Sequence, residues 1–479
     1  MSTLTDIKKS KNKKLDKIIL LTKIIVIIFS AYGVTANIIP FFEGSNPYFY
    51  GVNSVIMTEG QFSITNELLQ ETGRTEFIPE NWLMTEHGSV VPMSGAGLTV
   101  AGSIFYLIGG YYGLFYLSPI MYIILLIASE RTSSKLFGNY VGLITLLIIS
   151  SSNLLFRNSI ELLTESMFAL FFVVAIFYLI KFLKTKKQKL LLLSSSLFTL
   201  LTWIKFSGLI NLPLEIFVVC AFFIFVTLRE KKDLIKTNRN KIQSYFYLIN
   251  KKIINKTFLK IFLVIIISWS FFLISNTIYF EYNFSDPLLN YGDVKELKNY
   301  DTSLPSIFAF EYKDFENIKQ YSKYLLPYQI PAIYNSANEN FEDILGNNWI
   351  GLIAIILLLV IATISFYSKD KRTEVFVLMV FILGFVSFFS LITTEHRAEQ
   401  GVAGRYMLPA FVLSSMIFGY FIQKIIKKEN TNTKEIVKNI IKIFKVILLI
   451  IVGIFFIFAF YFSNPVQIII DDGINFNNP

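Results

Sequence analysis

The sequence predicts an all-α polytopic membrane protein with about eleven transmembrane helices, and three observations carry that reading. Of 479 residues, 54% are hydrophobic and only 16% charged. The apolar residues cluster in runs of about 20, the length that crosses roughly 30 Å of hydrocarbon as a helix. Lysines and arginines gather in short stretches between the runs. Backbone amides in lipid have no water to bond, so a chain built of such runs must satisfy them within helices.

The formal charge of +10 does not point to nucleic acid, because basic residues in short loops are explained by retention of positive charge on the cytoplasmic side. The one cysteine, Cys220, lies inside an apolar run and excludes an internal disulfide framework. Near the N-terminus, Lys8, Lys9, Lys11, Lys13, Lys14 and Lys17 precede a run that is too long for a signal h-region, so it is read as a retained first helix.

If that helix leaves the cytoplasm, residues 39-112 form a large outer loop. From 39 to 96 it holds one basic residue, Arg74, against Glu43, Glu59, Glu67, Glu71, Glu76, Glu80 and Glu86. The next apolar piece, LTVAGSIFYLIGG (98-110), is too short to cross comfortably and ends in a glycine pair. Treated as non-spanning, it places SERTSSK and every later basic cluster in the cytoplasm. The expected helices are then 18-38, 113-130, 139-156, 163-183, 189-204, 208-228, 257-279, 348-367, 374-394, 405-426 and 442-463. The N-terminus is cytoplasmic and the C-terminus outside. Three regions follow: a core module 1-228, a basic cytoplasmic loop 229-256, and a C-terminal membrane module 257-479. The last carries an outer loop 280-347 interrupted by Pro287, Pro305, Pro327 and Pro331.

Nucleotide-binding glycine loops, zinc-spaced His/Cys groups and serine-hydrolase elbows are absent from the sequence, and His87 and His396 are its only histidines. What remains are charges at outer helix ends. Glu43 stands where the first helix leaves the membrane, suited to take a proton from an acceptor hydroxyl or to hold a divalent metal ion. Glu86 and His87 precede the short apolar piece. In RNSIELLTESMF (157-168), Glu165 opens a span, where a carboxylate also suits the helix macrodipole. Lys205, Arg397 and Arg405 break the depletion of positive charge on the outer side. Each alone reads as a snorkelling anchor, but three from different helix ends suit a common anion, and an arginine offers a phosphate two hydrogen bonds.

The order of these pieces resembles the GT-C glycosyltransferases, polytopic enzymes that use polyprenyl- or dolichyl-phosphate sugars. The matching stretches are NPYFYGVNSVIMTEGQF, VVPMSGAGLTVAGSIFYLIGG, SERTSSKLFG, RNSIELLTESMFALFFVVAIFYLIKFLK and GRYMLPA. They cover about the first 230 residues and the region 395-420. The resemblance implies a GT-C-like bundle whose large first outer loop contains juxtamembrane helices. It also implies a donor phosphate held by Lys205 and Arg405, an acidic residue of the 43-46 stretch as base, and a glycan, lipid or protein acceptor outside the cytoplasm. Asn46, His87, His396 and Tyr406 complete the candidate set.

At Asn46 such enzymes commonly carry Asp, and an amide cannot accept a proton as a carboxylate does. Either Glu43, Glu86 or Glu165 supplies the carboxylate, or the chain keeps the fold as a non-catalytic scaffold. A transporter of an anionic lipid or solute needs charge deeper in the bundle than these helix-end residues.

Overall fold

A computed structural model describes residues 2-41, 45-61, 63-65, 82-84, 89-92, 96-230, 256-284, 371-392 and 402-427, with isolated positions at 325 and between 356 and 363. Helix α1 (Ser2–Ala36) is followed by α2 (Ser45–Thr58) and the strands β1 (Ile64–Thr65), β2 (Trp82–Met84) and β3 (Ser89–Pro92). Then come α3 (Gly97–Phe137), α4 (Asn139–Ser150), α5 (Asn153–Ile160), α6 (Glu165–Thr185) and α7 (Gln188–Ile204). A 3₁₀ turn (Phe206–Ile210) leads into α8 (Asn211–Glu230), followed by α9 (Lys256–Phe284), α10 (Arg372–Ile392) and α11 (Val402–Lys427).

Six of the described helices are long and apolar enough to cross a membrane, or seven if the bent pair α4 and α5 is one span. Shorter apolar helices cover Gln188–Ile204 and Leu259–Ser275. The expected helix 139-156 is this pair, bent by 65°. The expected helix 113-130 runs on to Phe137 and stops at Gly138, whose φ of 114° ends it. Expected helix 348-367 is described only in part, and 442-463 lies outside the described residues.

Gly110, with φ 60° and ψ −151°, breaks α3 into two arms. A Cβ on Gly113 would stand 2.2 Å from the carbonyl oxygen of Phe105. Eight residues of unbroken helix would separate those positions by about 12 Å, so the chain doubles back at Gly110. The arm from Gly97 is thus a separate helix lying against α2, as the glycine pair predicts. The exposed Leu107, Ile108 and Tyr112 sit at its tip. The small antiparallel sheet, in order β1-β3-β2, is an addition to the expected all-α picture and pairs Ile64 with Val90 and Leu83 with Val91.

The bundle centres on α6 and α11, whose spanning windows are 78% and 83% buried, whereas α1 is only 22% buried. Ile18, Leu21, Ile28 and Tyr32 leave α1 with an apolar outer face, as lipid contact requires. Rings knit α6, α7 and α10 together: Phe172 lies 4.9 Å from Phe385 and 5.7 Å from Phe381, which stacks on Phe198 at 5.3 Å. Edge and offset ring pairs of this kind add about 0.5–1.5 kcal/mol each to the burial of their area.

Several charged groups inside the bundle are paired. Lys23 of α1 meets Glu130 at 2.5 Å, and Lys184 and Lys371 share Glu374. Glu215 is fully buried and accepts from Ser195 Oγ at 2.7 Å and Trp269 Nε1 at 3.2 Å, joining α7, α8 and α9. Leu325, from the 280-347 stretch read as an outer loop, is fully buried, and its carbonyl accepts from Ser414 Oγ in the middle of α11 at 2.6 Å.

Candidate functional site

Three charged side chains from separate helix ends meet where α6 and α11 begin and α7 ends. Glu165 opens α6, following a turn that α3 holds: Ser118 Oγ accepts from the Leu163 N–H and donates to the Leu163 carbonyl, both at 3.1 Å. Beside it, Ser159 and Ser166 hydroxyls lie 2.7 Å apart, fixing the first turn of α6 against α5. Lys205 is an extended residue, φ −154° and ψ 129°, between α7 and the 3₁₀ turn. Its N–H donates to Leu201 and its carbonyl accepts from Gly208, so the backbone is anchored on both sides while the side chain projects.

Lys205 Nζ lies 3.1 Å from Glu165 Oε1 and Arg405 Nε lies 3.8 Å from the same oxygen. Glu165 Oε2 accepts from Thr164 Oγ1 at 3.3 Å. Lys205 Nζ also sits 4.1 Å from the Tyr406 ring centroid, a cation–π contact, and that ring stacks on Phe389 at 4.9 Å. The Glu165 side chain is 4% exposed, against 21% for Lys205 and 25% for Arg405, so the carboxylate lies beneath the two cations. Arg405 Nε is buried and has no hydrogen-bond partner among the described residues.

These groups line one shallow, open recess of about 10 Å³ with Phe168, Ser207, Phe385, Phe389 and Pro409. One wall is charged and the other aromatic. Two such walls side by side suit an amphiphile whose anionic head bonds the cations while its apolar chain lies on the rings. The first arm of α3 abuts it, because a Cβ on Gly97 would stand 2.9 Å from Ile204 N, one residue before Lys205.

Of the residues expected from sequence, Glu165, Lys205, Arg405 and Tyr406 are thus brought together. Glu43, Glu86, His87, Arg397 and His396, and the side chain of Asn46, lie outside the described residues. The sequence reading did not single out Thr164, Phe168, Ser207, Phe385, Phe389 or Pro409. No group of three or more His, Cys, Asp or Glu side chains suited to a metal ion occurs among the described residues. The carboxylate in the recess is already engaged by two cations, so the described residues do not fit a metal there.

No protein-family model and no curated protein matches the sequence. Among solved structures, the chain is similar to the apo Archaeoglobus fulgidus oligosaccharyltransferase, with a TM-score of 0.51 and 13% identity over 93% of this chain and 56% of that one. The oligosaccharyltransferase AglB from Archaeoglobus fulgidus, in complex with an inhibitory peptide and a dolichol-phosphate, gives 0.49 and 12% identity, over 92% and 56%. ArnT from Cupriavidus metallidurans bound to undecaprenyl phosphate gives 0.45 and 9%, over 87% and 63%. The chain spans less than two thirds of the length of each of these proteins. The likeness is one of fold. With the apo oligosaccharyltransferase it agrees with the helical bundle expected from the sequence.

Proposed function

We propose that the chain is a membrane glycosyltransferase that takes a sugar from a polyprenyl- or dolichyl-phosphate donor and passes it, with inversion at the anomeric carbon, to a glycan, lipid or protein acceptor. The observation that carries this reading is the meeting of Lys205 and Arg405 beside an aromatic wall, at the end of the bundle that the lysine distribution assigns to the outside. In this reading the protein lies in the plasma membrane with its N-terminus cytoplasmic. The two cations hold the donor phosphate, and the rings take the first isoprene units.

The acceptor hydroxyl attacks the anomeric carbon as a carboxylate removes its proton. The bond from that carbon to the phosphate oxygen breaks, and Lys205 and Arg405 stabilise the charge left on the phosphate. Glu165 is spent on its two cations and is almost wholly buried. The base is therefore assigned to the 39-112 loop, to Glu43 or Glu86.

Transfer assays on the purified chain with a panel of polyprenyl-phosphate sugars test the reading. Turnover with at least one donor, lost in Arg405→Ala, is expected. Absence of turnover and of any donor-dependent thermal shift would favour the scaffold reading, for which Asn46 is the supporting residue.

A further inference from the structure

The charge balance of the recess bears on which phosphate it takes. Lys205 and Arg405 supply two positive charges, and Glu165 Oε1 faces both, at 3.1 and 3.8 Å. The carboxylate is held from the other side by Thr164 and lies beneath the cations, out of reach of an acceptor. Among the described residues the recess therefore carries one net positive charge, although two cations face its opening.

A lipid-phosphate sugar is a phosphodiester with one negative charge. In the transfer a bond forms between the acceptor oxygen and the anomeric carbon, and the bond from that carbon to the phosphate oxygen breaks. Its electron pair stays on the phosphate, and the acceptor's proton goes to the outer-loop carboxylate. The phosphate becomes a monoester, doubly charged above a second ionisation near pH 6.

Resting on the donor-site reading above, we propose that Glu165 is a positioning residue that sets the recess to a single net positive charge, matched to the intact phosphodiester donor and opposed to the doubly charged product. It keeps Lys205 and Arg405 in place for the donor and repels the extra charge that transfer creates, so the spent lipid phosphate leaves. A unit charge within several ångströms of the phosphate, at the partial exposure seen here, suffices for about a tenfold discrimination.

The test uses the full chain in lipid nanodiscs, titrated with farnesyl phosphate, a monoester, and farnesyl methyl phosphate, a diester. Glu165→Gln is expected to raise affinity for the monoester relative to the diester by about tenfold. Glu165→Gln removes the anion beneath two cations and can prevent folding, so the same substitution is also made in a Lys205→Met background, where both partners of the pair go together. That double variant returns the net charge to one and is expected to show the wild-type ratio, with Lys205→Met alone shifted against the monoester. An unchanged ratio on adding Glu165→Gln in either background overturns the inference. The donor-site reading survives that result if Arg405→Ala still weakens both probes. If the wild type binds neither probe, the donor-site reading fails and this inference with it.

Discussion

Replacing Lys205 by methionine tests the ion pair at the centre of the recess. The substitution keeps the length and apolar stem of the side chain but leaves Glu165 facing only Arg405, which is 3.8 Å away and lacks a hydrogen bond to it. Removing one partner of a buried pair typically costs about 3–5 kcal/mol, because the remaining charge is uncompensated. Here Arg405 remains nearby and Lys205 is 21% exposed, so a loss of about 1–3 kcal/mol is expected. Lys205→Met with Glu165→Gln should recover most of that loss, and a double-mutant cycle on unfolding in detergent would read the coupling directly. Donor affinity, read by the thermal shift that the donor produces, should fall by about tenfold or more through loss of a charge-assisted contact. A single variant as stable as wild type, with unchanged donor affinity, would refute the reasoning.

Three further outcomes follow from other contacts. Gly97→Ala forces a Cβ to 2.9 Å from Ile204 N, so the first arm of α3 or the Lys205 turn must shift; a loss of about 1–3 kcal/mol is expected, together with weaker donor binding, by thermal unfolding and donor titration. Glu215→Ala strips Ser195 and Trp269 of their acceptor, and leaving buried donors unpaired should lower stability by about 1–3 kcal/mol and change the fluorescence of Trp269. If Glu43 is the base, Glu43→Gln abolishes transfer while donor affinity stays near that of wild type, and retained turnover would remove Glu43 from the mechanism and leave Glu86 as the base.

How far the sequence could be read depended on contrast with the background. Lys205 and Arg405 stood out because they are positive on a side that is otherwise depleted of positive charge, and Glu165 because a carboxylate opens an apolar run. The two arms of α3 were legible from Gly109 and Gly110. The sheet was not, since strands of two to four residues are too short to show alternation. With 48 phenylalanines in the chain, Phe168, Phe385 and Phe389 carried no individual signal, and only tertiary packing selects them. Ser118 was hidden for a similar reason, because serines recur throughout the spans and its partner is a backbone group 45 residues away. Glu215 left a trace that was passed over: a lone carboxylate within LPLEIFVVC is the kind of intramembrane charge that asks for a partner, and Ser195 and Trp269 are those partners.

The most direct test of the account is a cryo-electron microscopy structure of the chain in nanodiscs with undecaprenyl phosphate. The account predicts the phosphate within hydrogen-bond distance of Lys205 Nζ and the Arg405 guanidinium, with the first isoprene units on Phe389 and Phe385. A phosphate bound elsewhere on the bundle, with the Lys205–Glu165–Arg405 cluster unchanged and closed to it, would contradict the account.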